Sequence, residues 1–163
     1  MLQSFGLLRT NLLKQVVYKR PSYHAMQHMV NLLHSGVKPS GRPAFTVNTA
    51  REIALVGLSD ADGKPVGVMY WYSDRIPGDE LAWDRVEMSV EGLSLEDPVL
   101  VDAVTGRVYD LPQPHGNRDG GRMKLTGCPV WDAPMLLMER SAVPFRGEAA
   151  ERKAAGTSQD MLY

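Results

Sequence analysis

The feature that most limits what this chain can become is a change of punctuation at Gly36. Beyond it, Gly and Pro become frequent, and short runs rich in β-branched and aromatic residues alternate with turns. That pattern predicts a mainly β fold, an antiparallel β-sandwich of about eight strands. The candidate strands are Ala44 to Asn48, Glu52 to Ser59, Val66 to Ser73, Arg85 to Val90, Val99 to Asp102, Arg107 to Asp110, Arg122 to Leu125 and Met135 to Arg140. Two hairpins are written into the turns: Asp60-Ala61-Asp62-Gly63-Lys64 joins the second strand to the third, and Val104-Thr105-Gly106 joins the fifth to the sixth. In Arg85 to Glu91, Val86, Met88 and Val90 alternate with polar residues, so one face of that strand is wet. Val66 to Tyr72 is apolar on both faces, which calls for a second cover besides the sandwich core.

Ahead of the strands, Pro21 and Ser22 open a helix whose Tyr23, Met26, Met29, Val30 and Leu33 recur at helical spacing. It is expected to end near His34-Ser35-Gly36, with Pro39 preventing continuation. Residues 7 to 17 fit either a short helix or an extended arm, so the sandwich is preceded by one or two helices. The expected organisation is a helical lead-in over residues 1–42, a sandwich over 43–145 and a disordered tail over 146–163, which lacks an apolar stripe.

With 163 residues the chain can bury one real core. Its 18 Lys/Arg and 19 Asp/Glu, spread along the sequence, give a net charge of −1, so no overall basic field exists for nucleic acid. No apolar run reaches the ~20 residues of a membrane span, and no signal peptide is visible at the N-terminus. Neither observation assigns a cellular location. The single cysteine, Cys128, reads as a buried filler.

Four groups of residues could carry chemistry. His24 and His28 stand one helical turn apart, as zinc ligands do in H-E-x-x-H, but position 25 is Ala and no third ligand is evident. No metal and no cofactor is expected. Asp60-Ala61-Asp62-Gly63 opens like a calcium loop without its later ligands, and reads as a turn. Asp79, Glu80, Asp84 and Glu87 are acids of the kind a glycosidase needs, in a context where nothing would raise a carboxyl pKa by burial. Trp71, Tyr72 and Trp83 could stack on sugar rings, although core packing is the commoner use of such side chains.

Three stretches taken in order resemble the C-terminal end of a clan A glycoside hydrolase. They are Lys19 to His28, Asp97 to Tyr109 and Val130 to Arg140, and the likeness spans most of residues 7 to 143. Such enzymes join a (β/α)8 barrel to a β-sandwich. The resemblance implies that the first stretch opens the last barrel helix and that the others lie in the appended sandwich. It also implies that the catalytic glutamates belong to barrel strands outside this sequence, so no catalytic residue is carried over.

The first functional expectation is therefore a non-catalytic accessory domain serving a glycosidase barrel in cis or in trans, with Tyr23, Met26, Val30 and Leu33 as the partner interface, or self-association through that stripe. The second is a stand-alone carbohydrate-binding module using Trp71, Tyr72 and Trp83. The third is a small hydrolase using the acids between residues 79 and 87.

Overall fold

The computed structural model describes residues 7–10, 13–74, 84–111, 117–119 and 121–144. The expectations placed on Asp79, Glu80, Trp83 and the tail lie outside the described residues.

In chain order the elements are β1 (Leu8–Thr10), β2 (Val16–Lys19), α1 (Pro21–His34), β3 (Lys38–Pro39), β4 (Phe45–Val47), β5 (Ile53–Ser59), β6 (Pro65–Tyr72), β7 (Asp84–Glu91), β8 (Pro98–Asp102), β9 (Val108–Asp110), β10 (Asn117–Asp119), β11 (Arg122–Val130) and β12 (Met135–Glu139), followed by a single 3-10 turn over Arg140–Ala142. The fold is a mainly β, sandwich-like stack of antiparallel sheets. One sheet has the order β3-β5-β6-β12-β8-β9 and the other β10-β11-β7-β4, while β1 and β2 form a separate hairpin. Each of the eight expected strands is present.

Leu8–Thr10 and Val16–Lys19 take the extended alternative, so among the described residues one helix precedes the sandwich rather than two. The hairpin pairs Leu8 with Lys19 and Arg9 with Tyr18. Its turn holds Lys14 at φ 61, a left-handed conformation that no helix would use. The other surprise is the length of β11, which continues to Val130 through a bulge between Leu125 and Cys128. Gly127 supplies the positive φ of that bulge. Read in one dimension, Gly127-Cys128-Pro129 ends a strand; in the sheet it bends one.

Two apolar clusters account for the layers. Between the sheets, Ile53, Leu55, Val68, Tyr70, Leu100, Met135 and Leu137 of the larger sheet meet Val86, Met88, Val90, Met123, Leu125 and Val130 of the smaller one. The alternate residues of β6, β8 and β12 face the other way, where Met69, Val99, Val101, Leu136 and Met138 pack with Leu32 and Met29 of α1, joined by Val66 at the irregular start of β6. The six-stranded sheet is thus covered on both sides, and α1 provides the second cover that the doubly apolar β6 required. Roughly 1.5–3 kcal/mol for each fully buried aliphatic side chain is the drive behind both clusters.

The two expected hairpins form as read. Asp60 accepts the backbone N–H of Asp62 and Lys64 at 3.0 and 2.9 Å. Asp102 accepts from Val104 N–H at 2.8 Å and from the Thr105 hydroxyl at 2.6 Å, closing the β8–β9 turn. Against that turn sits His28, whose Nδ1–H donates to the Ala103 carbonyl at 2.9 Å. Gly106 makes the approach workable: a Cβ there would lie 2.6 Å from the imidazole.

Candidate functional site

The face of α1 that turns to the sheet is not the one its spacing favoured. Leu32 is fully buried and Met29 and His28 are partly so, whereas Met26, Val30 and Leu33 are exposed and Tyr23 is half-buried. The helix has apolar residues on two flanks because positions 32 and 33 differ by about 100° around the axis. Its sheet takes the Leu32 flank, and the expected interface stripe is left facing solvent. A second set of exposed apolar residues, Leu7, Leu13, Val16 and Tyr18, lies on the hairpin. These seven are all the exposed large hydrophobics among the described residues.

The hairpin and helix are tied together at their junction. Arg20 N–H donates to the Leu7 carbonyl at 3.0 Å, and the Lys19 ammonium lies 4.9 Å from the centre of the Tyr23 ring. The result is a hairpin and helix anchored to the sandwich on one side, through Leu32, Met29 and His28, and apolar on another.

The other candidate residues among those described are dispersed. Trp71 and Tyr72 are consecutive on β6, so their side chains leave opposite faces of the sheet and cannot form one platform. Trp71 is half-buried on the outer face, while Tyr72 is buried between the sheets. The Tyr72 ring lies 3.9 Å below the Arg51 guanidinium, and its hydroxyl donates to Asp84 at 2.8 Å. Burial first, and then that bond to a carboxylate, raise the phenol above its ordinary pKa. Arg51 is held in turn by Asp74 at 3.1 Å. This clasp pins the open ends of β5, β6 and β7. It commits Asp84 to a tyrosine rather than to a substrate, and Glu87 stands exposed on the outer face of the smaller sheet.

His24 makes an edge contact with Tyr23, ring centres 5.5 Å apart, while His28 is engaged with the Ala103 carbonyl. Among the described residues no three His, Cys, Asp or Glu side chains gather as a metal site. Cys128 is buried beside Tyr70, and desolvation pushes its thiol up to about 12, far from the range of a nucleophile. Of the grooves on the surface, one of about 390 Å³ lies over β4, β7 and β11, where Asn48 already accepts the Glu87 N–H at 2.7 Å. Another, of about 410 Å³, lies between the end of α1, the Asp60 turn and residues 139 to 144. Glu139 at its edge is occupied by the N–H groups of Glu96 and Asp97 at 2.6 and 3.0 Å.

One signal was overlooked in the sequence. The near-neutral total conceals an uneven distribution: residues 1–51 hold seven Lys/Arg and no Asp or Glu, so all 19 acids follow Glu52 inclusive. Splitting the charge count by region would have found it.

Compared with known proteins, the chain matches no family model and no curated protein sequence. Function has to be read from the residues and their geometry.

Proposed function

We propose that this chain acts as a non-catalytic accessory sandwich, like the C-terminal domain of a clan A glycoside hydrolase, and that it stabilises or completes a catalytic barrel that is not among these residues. One observation carries the reading. All seven exposed large hydrophobics among the described residues fall between Leu7 and Leu33, in the segment that resembles the end of a barrel. Exposed apolar residues gathered in one segment offer a seat for another structured element. The separation of Asp84 from Glu87 and of Trp71 from Tyr72 supports the same reading, because a site needs its groups converging on one place.

The test is the size of the native polypeptide in its source, by denaturing immunoblot with antibody raised against this domain. A band far above 18.0 kDa supports a barrel in cis. A band at that size, migrating in a larger complex under native conditions, supports a barrel in trans. A band at that size that stays monomeric overturns the proposal. Glycan retention by that monomer, abolished in Trp71→Ala, would then establish a carbohydrate-binding module instead.

A further inference from the structure

We infer that the partner seated on the hairpin–helix face is a protein surface with an apolar centre and a rim of Asp and Glu side chains. The inference rests on the accessory-domain reading and adds the chemistry of the partner. Its first support is the apolar set: Val16 and Tyr18 on the hairpin, and Met26, Val30 and Leu33 on the helix, are between 42% and 55% exposed. Its second is charge. Residues 1–51 carry seven Lys/Arg without one acid, and Lys14, Lys19 and Arg20 flank the apolar residues on the hairpin and at the helix start. The ion pairs of the described residues join Arg51, Arg122 and Arg140 to carboxylates, and none uses these three cations.

Charge also separates the candidate occupants. A second copy joined by a two-fold axis would set this basic segment against itself, since such an interface opposes the same patch to itself, and like charges across it oppose association. An anionic bilayer would favour Lys and Arg along the polar side of an interfacial helix. Here the exposed polar positions of α1 are Ser22, His24, Gln27, Asn31 and His34, none of them Lys or Arg, and its other flank is fastened to the sheet by Leu32. The cations are gathered at one end, which suits a shaped acidic rim better than a uniform lipid surface.

Carbodiimide cross-linking of the native protein in its source, followed by immunocapture and peptide mapping, tests the rim directly because the reagent joins an amine to a carboxylate with no spacer. The expected products link Lys14 or Lys19 to Asp or Glu side chains outside these 163 residues. Their yield should fall about tenfold in Leu33→Glu and several-fold in Arg20→Glu, which leaves both reactive amines in place, and decline as salt is raised. The first variant places a like charge in the apolar centre, and the second reverses a cation at the helix start, so a loss of folding in one leaves the other informative. Cross-links confined to carboxylates of a second copy overturn the inference, as does their absence. So does sedimentation of the purified chain with vesicles of phosphatidylcholine and phosphatidylglycerol in equal parts, reversed by the same variants. The outcome is independent of the immunoblot. A large native polypeptide without these cross-links keeps the accessory domain and removes the acidic rim. A band at 18.0 kDa with cross-links to another protein removes the cis arrangement and keeps the rim.

Discussion

The sandwich and the hairpin–helix unit that precedes it handle the same physical problem in different ways. The sandwich hides its apolar residues from water in two clusters, one between the sheets and one beneath α1. The hairpin–helix unit hides only the flank that touches the sheet. Adjacent residues show the contrast most sharply: Leu32 is 0% exposed and Leu33 is 49% exposed. The charges divide along the same line, with all acids following residue 51. A unit that completes its own core can stand alone, whereas one that completes half of it carries the means of docking to something else.

The strongest way to break the comparison is to attack the sandwich where its strands are closest. A Cβ on Gly67 would lie 2.4 Å from the Leu137 carbonyl and 2.9 Å from Met138, so Gly67→Ala should cost at least about 3 kcal/mol. Chemical denaturation would show this, and an unchanged midpoint would mean that β6 and β12 can move apart freely. Next is the seam between the two regions. Leu32→Ala should cost about 2–3 kcal/mol, the lower part of the usual range for a buried leucine, because one side of the helix is open to relax.

A pH series sharpens the same contrast, since the thiol shifted up to about 12 from its ordinary 9.0 belongs to the sandwich core. A thiol held protonated in the folded state keeps its proton while the unfolded chain gives its own up. Stability is therefore fully present below pH 9.0 and falls as pH rises toward about 12. Cys128→Ala should flatten that fall in melts recorded across the range, and an unaltered slope would assign it to other groups such as Tyr70, which burial also shifts upward. The smallest effect is expected on the exposed flank. Leu33→Asn should alter the stability of the isolated chain by no more than about 0.5 kcal/mol. A loss comparable to that of Leu32→Ala would mean that Leu33 is packed within the chain, and would remove the docking face.

Much of the fold was legible because sheets have a period of two and turns have strong residue preferences. Val86, Met88 and Val90 announced the buried side of β7, and Asp60 and Gly106 announced two turns. The opposed placement of Trp71 and Tyr72 was legible too, since neighbours on a strand point apart. Residues 7 to 17 were not decidable, because apolar pairs at 7 and 8, 12 and 13, and 16 and 17 satisfy helix and strand alike. The same one-dimensional view concealed the Gly127 bulge, whose signature is that of a strand end.

By itself, then, the sequence determined eight of the strands, the turns at Asp60 and Gly106, the limits of the helix and the regional imbalance of charge, since each depends on local stereochemistry or on counting. Only the tertiary structure decided which flank of α1 is buried, that Tyr72 belongs to a clasp with Arg51 and Asp84, and that the hairpin–helix unit leaves its apolar residues in water. Those outcomes depend on which surfaces meet. A helix with two apolar flanks carries no local term that prefers one, and the choice falls to the sheet whose Val99, Val101 and Leu136 accept Leu32.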